Sequence, residues 1–334
     1  MNPALICAAL SFGITALVGL WLIPFLKRLH YGQTILEIGP KWHKNKQGTP
    51  TMGGLMFMVG ILCAVCAGMM AALAGDPALR QGYQRILNVR LVAGLLMALG
   101  FSLIGFADDF VKVQKKQNLG LTARQKLVVQ FLVAALYLWS LWAAGDVSTT
   151  VQLPFFGQWR LGLLYWPLCA IGIVYIVNSV NLTDGLDGLA ASVTFVCAFG
   201  FLAIAVLLGF FQITLLAAAV AGGCVGFLIY NAYPAKVFMG DTGSMFLGGC
   251  VVAMAFGVGL PLFLACTGIV YIGESLSVVL QVISFKTTGK RIFKMSPIHH
   301  HFEMSGWSEV QIVLAFSGIT FLGCLLAVAA ARLL

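Results

Sequence analysis

This sequence is short of charge. Lys, Arg, Asp and Glu make up 9% of its 334 residues, and only 11 residues are acidic, whereas a water-soluble domain gives about a quarter of its residues to charge. With 60% hydrophobic residues and a mean hydropathy of +0.97, the chain cannot clothe a soluble fold in polar surface, so it is read as an integral membrane protein. No polar linker, low-complexity tract or defensible internal repeat divides it, which leaves one polytopic membrane domain over residues 1–334. The pattern GxxxxGK[ST] is absent, which excludes a P-loop nucleotide site. All nine cysteines, from Cys7 to Cys324, lie inside apolar segments, where a thiol packs as a small hydrophobe. Cys63 and Cys66 form a CxxC with no second pair nearby, so they are read as packing residues and not as a metal or redox site.

What the sequence does have is long apolar runs. Crossing about 30 Å of hydrocarbon takes roughly 20 helical residues. About ten segments are long enough: 3–26, 51–74, 91–107, 127–145, 161–179, 188–209, 212–230, 243–260, 262–284 and 311–333. The predicted fold is therefore all-α, with about ten transmembrane helices. The first segment is too long for a signal-peptide core and has no basic residue before it, so it is read as a retained span.

Basic residues orient this bundle. Numbering the connecting loops in order, the odd ones carry Lys27, Arg28, Lys41, Lys44 and Lys46, then Lys112, Lys115, Lys116, Arg124 and Lys126, then Lys236, then Lys286, Lys290, Arg291 and Lys294. These are 15 of the 20 basic residues. The even loops hold Arg80, Arg85, Arg90 and Arg160. The positive-inside rule then puts the odd loops in the cytoplasm and both termini outside.

The polar chemistry falls on the same side. Asp108 and Asp109 (GFADDFVK), the stretch NSVNLTDGLDGLA at 178–190, Asp241 (VFMGDTGS) and the triplet His299, His300 and His301 (SPIHHHFE) all lie on odd loops. Five of seven aspartates and all five histidines are thus on one face, and ionisable groups at the ends of apolar spans point to a functional site.

Spacing refines each motif. Asn178, Asn181, Asp184 and Asp187 recur every three residues, which on a continuous helix would spread them around about half the circumference and aim some at lipid. Gly185 and Gly188 permit a break, so a helix end or short re-entrant turn lining a polar cavity is the reading, with an ordinary tight turn as the alternative. In MGDTGS, two glycines, two hydroxyls and a following apolar helix suit a phosphate, or a metal with its phosphate, near a helix N-terminus. Asp108 and Asp109, adjacent on a helix, point about 100° apart and are expected to do different jobs. Three consecutive histidines cannot all converge on one tetrahedral zinc from one regular element, which leaves anion binding or proton handling for them.

KNKQGTPTMGG (44–54), GFADDFVKV (105–113), NSVNLTDGLDGLA, NAYPAKVFMGDTGS (231–244) and SPIHHHFE (296–303) run in order through nearly the whole chain. Together they resemble the motifs of the phospho-N-acetylmuramoyl-pentapeptide transferase family, within the polyprenyl-phosphate N-acetylhexosamine-1-phosphate transferase superfamily. The resemblance implies transfer of phospho-MurNAc-pentapeptide from UDP-MurNAc-pentapeptide to undecaprenyl phosphate, giving lipid I and UMP in peptidoglycan synthesis, with Mg²⁺ as cofactor. It also implies a bacterial plasma (inner) membrane location with the active site facing the cytoplasm, a homodimer and no nucleic-acid partner.

Carried onto this sequence, the resemblance makes Asp108 the base that deprotonates the lipid phosphate, with Asp109 beside it, and Asp241 the Mg²⁺ ligand. Asn178, Lys112, His299, His300 and His301 join them as catalytic groups. Lys46, Thr51, Asn181, Asp184, Asp187, Asn231, Phe238, Gln281, Lys116 and Lys126 fall at substrate-binding positions. Two other functions compete. A sister transferase would use UDP-GlcNAc, against which PIHHHFE argues. A transporter would place its polar groups near the bilayer midplane on inverted repeats, and only Glu274, inside a span, suits that reading.

Overall fold

The computed structural model describes residues 3–29, 46, 48–115 and 120–334. The chain is an all-α integral membrane protein. Its helices are α1 (Pro3–Arg28), α2 (Gly54–Gly75), α3 (Gly82–Lys115), α4 (Ala123–Ala143), α5 (Tyr165–Thr183), α6 (Leu189–Leu207), α7 (Phe211–Asn231), α8 (Gly240–Gly257), α9 (Leu264–Thr267), α10 (Ile269–Thr288), α11 (Ile298–Glu303) and α12 (Glu309–Ala331). Among the described residues, nine helices are long and apolar enough to cross a membrane. The tenth expected segment, 243–260, corresponds to the 18-residue α8. That helix begins three residues earlier than expected, so its polar first turn GDTGS lowers its hydropathy, yet its length of roughly 27 Å still matches a bilayer core.

Packing explains why this polar-headed helix is stable. Every residue of α8 from Thr242 to Gly257 is buried; α3 lies along it on one side, and α5 and α2 also pack against it. Small residues allow the approach: a Cβ on Gly105 of α3 would collide with the Asp241 backbone, and one on Gly54 of α2 with Gly243. Between helices in lipid, such close backbone contact takes the place of a hydrophobic driving force. Around this centre α7 packs on α1 and α6, and α12 on α6.

The structure departs from the expected segments in three further places. Segment 91–107 is the middle of a 34-residue helix, so Asp108 and Asp109 lie within α3 and not at its end. Segment 262–284 is broken: α9 ends at Thr267, and only α10 crosses. After α4 the chain forms an unanticipated hairpin, β1 (Thr150–Leu153) paired antiparallel with β2 (Gly157–Arg160). Beside it Arg90 of α3 donates to Asp146 at 2.7 Å, with Nη1 on the Gly257 carbonyl, which ties this end of the bundle together.

Candidate active site

The first polar contact is between α3 and the start of α8. The backbone N–H groups of Asp241 and Thr242 donate to Asp109 Oδ1 and Oδ2 at 3.2 and 2.9 Å, and the Thr242 hydroxyl donates to Oδ2 at 2.7 Å. A helix start leaves N–H groups without partners, and the residue before α8, Met239, supplies no side-chain cap; Asp109 supplies it from another helix. Gly240 has φ +71°, and a Cβ there would lie 2.6 Å from Asp109 Oδ2, so glycine is needed on both counts. The sequence reading expects a phosphate, or a metal with its phosphate, near this N-terminus; the structure adds the Asp109 carboxylate there, because α3 passes close enough to deliver it.

Asp108 does a different job, as its position on the helix required. Its Oδ2 takes ion pairs from Lys112 at 2.6 Å and Lys126 at 3.1 Å, and its Oδ1 accepts the Leu121 N–H at 2.8 Å. The same two ammonium groups reach Asp241 Oδ2 at 3.0 and 2.9 Å. Two lysines thus bridge two aspartates from three helices. Asn181 of α5 closes the arrangement, donating to Asp241 Oδ1 at 3.0 Å and to the Ser244 hydroxyl at 2.8 Å.

The Asn/Asp stretch is a helix end, the first of its two expected forms. α5 runs through Asn178 and Asn181 to Thr183, Asp184 caps it, and Asp187 lies in the turn before α6. Asn178 sits one turn deeper, in a reciprocal amide pair with Gln130 of α4 at 2.8 and 3.2 Å. Nothing among the described residues donates to the Asp184 carboxylate. Burial, reinforced by the charges of Asp241, Asp109 and Asp187, raises its pKa well above the usual carboxylate range.

A second node joins four loops. Lys46 donates to Asp187 Oδ1 and Glu309 Oε2, both at 2.7 Å; Asp187 Oδ2 accepts from the Ala235 N–H at 2.9 Å. Asn231 accepts the Gly188 N–H at 3.1 Å and donates to the Val237 carbonyl at 2.9 Å, so it braces the turn rather than facing the lysines. Phe238 and Thr51 lie on paired backbone: the Phe238 N–H donates to the Pro50 carbonyl at 2.9 Å and the Gly53 N–H to the Phe238 carbonyl at 2.8 Å. The Thr51 hydroxyl lies beside Gly240.

The histidines part company. His299 is 1% exposed, with Nδ1 3.0 Å from both Glu274 carboxylate oxygens, and its Nε2 lies where a Cβ on Gly185 would be. Glu274 thereby gains a partner and loses its value as a transporter signature. His300 Nδ1 meets Glu303 at 2.6 Å, and His301 Nδ1 accepts the Lys294 N–H at 3.2 Å. Gln281 is spent on the backbone of Ile292 and Phe293, so it shapes the loop that carries the triplet. Lys116 lies outside the described residues. Sequence reasoning missed Glu309, Gln130 and Ser244. Glu309 was hidden because Ser308, Glu309 and Gln311 read as an ordinary helix start, which they also are.

Among the described residues no three His, Cys, Asp or Glu side chains gather as a metal cage. Asp241 and Asp184, the latter with no donor on its carboxylate among the described residues, offer the hard-oxygen chemistry that a divalent cation takes.

Fold and site define a polytopic membrane enzyme whose acids and lysines converge at one end of its helices, able to neutralise and orient anionic groups there. A family model described as Glycosyl transferase family 4 matches residues 91–259, and Phospho-N-acetylmuramoyl-pentapeptide-transferase signature 1 matches residues 46–58. The phospho-N-acetylmuramoyl-pentapeptide-transferase of Heliobacterium modesticaldum is 48% identical over 93% of this chain and 94% of its own. Those of Acetivibrio thermocellus and Halalkalibacterium halodurans are 44% and 46% identical, over 100% and 97% of this chain and 97% and 96% of theirs. The chain belongs to the phospho-N-acetylmuramoyl-pentapeptide-transferase family.

Proposed function

We propose that this protein transfers phospho-MurNAc-pentapeptide from UDP-MurNAc-pentapeptide to undecaprenyl phosphate, forming lipid I and UMP, with Mg²⁺, at the cytoplasmic face of a bacterial plasma membrane. The observation that carries the reading is the convergence of Asp108, Lys112, Lys126, Asp241 and Asn181 within hydrogen-bonding distance at one end of the bundle. A transporter would hold such groups near the midplane; a transferase joining a lipid phosphate to a soluble nucleotide must hold them where both can meet.

Phosphoryl transfer asks a protein mainly for positioning and charge neutralisation. An oxygen of the lipid phosphate forms a bond to the sugar-bearing phosphorus of the UDP substrate as the pyrophosphate bridge breaks and UMP leaves. Asp108 accepts the proton of the lipid phosphate. Lys112 and Lys126 exchange a carboxylate partner for phosphate oxygens, and Lys46 meets the nucleotide side. Asp241 and Asp184 are the residues that would hold Mg²⁺, which when bound would supply charge neutralisation for the substrate phosphates. Asp109 acts by holding Asp241 and Thr242 in place.

The test is transfer of radiolabel from UDP-MurNAc-pentapeptide and, separately, from UDP-GlcNAc to undecaprenyl phosphate by the purified protein in detergent, with and without Mg²⁺. Labelled lipid from the first donor alone, lost on chelation, is the expected result. Transfer from UDP-GlcNAc alone would assign the sister activity.

A further inference from the structure

We infer that Glu309, in the first turn of α12, is a positioning residue that sets Lys46 for the nucleotide substrate. The inference rests on the reading above, in which Lys46 faces that substrate. The Oε2 atom of Glu309 accepts two hydrogen bonds at once: from Lys46 Nζ at 2.7 Å and from the Asp187 N–H at 3.0 Å. Asp187 in turn takes Lys46 on its Oδ1 and the Ala235 N–H on its Oδ2. One carboxylate oxygen from α12 therefore joins the chain before α2, the turn between α5 and α6, and, through Asp187, the loop between α7 and α8.

The geometry is too specific for a solvated helix-start acid. The side chains of Lys46, Asp187 and Glu309 are 16%, 3% and 9% exposed, so the contacts are sheltered from solvent and hold their strength. A lysine ammonium carries three donors; among the described residues Asp187 and Glu309 take two, which leaves one for an arriving anion. Two carboxylates on one ammonium give the node a net charge of −1, which holds the lysine in place. Glu309 also accepts the Asp187 N–H, while Asn231 and the Ala235 N–H brace the same turn independently. Removing Glu309 thus takes one of two anchors from Lys46 and loosens the turn only at Asp187.

Glu309→Ala should raise KM for UDP-MurNAc-pentapeptide by at least about tenfold, the size of one charge-assisted hydrogen bond, with kcat within about threefold and KM for undecaprenyl phosphate unchanged. Glu309→Gln, which keeps an oxygen acceptor for both donors, should recover most of that loss. In a Lys46→Met background Glu309→Ala should have no further effect on KM, since the residue acts through Lys46. Hydrogen exchange supplies a readout that needs no turnover: Glu309→Ala should speed exchange in 48–54 and 184–188 and leave α7 and α8 unchanged. If Glu309→Ala does not fold, Glu309→Asp, one methylene short, takes its place in each measurement. Unchanged exchange, equal impairment by Gln and Ala, or an additive effect in the Lys46→Met background would overturn the inference. Wild-type protein that turns over no UDP-MurNAc-pentapeptide would defeat the functional reading instead, while the exchange result would still decide whether Glu309 ties the two segments.

Discussion

Asp108 offers the sharpest test of the chemistry, because its two candidate roles respond differently to pH. Replacing it with Asn removes an oxygen that now holds Lys112 at 2.6 Å and Lys126 at 3.1 Å, while the Asn carbonyl can still accept the Leu121 N–H that Oδ1 accepts today. Both lysines retain Asp241, so the local fold should survive. The loss of a general base costs typically ~10²–10⁴-fold in rate. If the proton comes from the lipid phosphate, whose second pKa lies near ~6 by analogy with phosphorylated side chains, the dianion already lacks it. Its fraction rises from about one tenth at pH 5 to nearly one at pH 8, as a pKa of ~6 dictates. The ratio of Asp108→Asn to wild-type rate should therefore climb about tenfold over that range at saturating Mg²⁺. Asp109→Asn serves as the control for a lost neighbouring charge, since Asp109 caps α8 and meets no substrate proton. Pre-steady-state or steady-state rates of labelled lipid formation from pH 5 to 8 make the measurement. A ratio for Asp108→Asn that stays flat would refute the base assignment, and an isolable phospho-sugar adduct on Asp108 would replace it with a covalent mechanism.

Other parts of the site give further tests. Asp241→Asn loses the anion shared by Lys112 and Lys126 and should lower kcat by at least ~10²-fold, the scale of one strong electrostatic stabiliser; near-normal Mg²⁺-dependent turnover would remove Asp241 from the metal-binding role. Asp184 has a raised folded pKa, so its ionised form is disfavoured in the folded protein while the unfolded chain ionises near pH ~4. Above that pH the charge opposes folding, and Asp184→Asn should melt higher than wild type at pH 7 in detergent without divalent cations, the gain vanishing towards pH 4; an unchanged or lower melting temperature at pH 7 contradicts this. Gly185→Ala forces a methyl group into the space of His299 Nε2 and should cost about 1–3 kcal/mol of stability, as overpacking does, readable by denaturant or thermal unfolding; a neutral effect would mean the ring moves freely. Orientation is testable with single cysteines at Lys290 and Phe156, both exposed: an impermeant thiol reagent should label position 156 in intact cells and position 290 only in inside-out vesicles.

Much of this could be read from the sequence, and the reason differs from element to element. The spans were legible because each must carry about 20 apolar residues whatever it packs against. The division of labour between Asp108 and Asp109 was legible because 100° per residue is a property of any helix. What stayed hidden was tertiary. Nothing in GDTGS says that its helix start is capped from α3, since the capping carboxylate lies 132 residues away in the chain. Glu274 looked anomalous because its partner His299 is 25 residues distant, and Glu309 looked ordinary because its helix-start signature is real. The extent of α3 and the start of α8 were misjudged for a related cause: hydropathy marks where lipid ends, whereas helices continue wherever packing and capping satisfy their backbone.

The two lysines and two aspartates explain how such charge can reside at the edge of a membrane domain at all. Lys112, Lys126, Asp108 and Asp241 sum to zero charge, and each ammonium faces both carboxylates at 2.6–3.1 Å, so no ion is left unpaired where desolvation would be costly. Neutrality achieved this way is also exchangeable. The lysine side chains remain 33% and 21% exposed, while Asp108 is 2% exposed, so an incoming phosphate reaches the cations before it reaches the buried acid. The resting ion pairs therefore hold the site together without substrate. On the proposed mechanism, each lysine that turns to phosphate frees an oxygen of Asp108 as the lipid phosphate brings its proton, so substrate binding itself would expose the base.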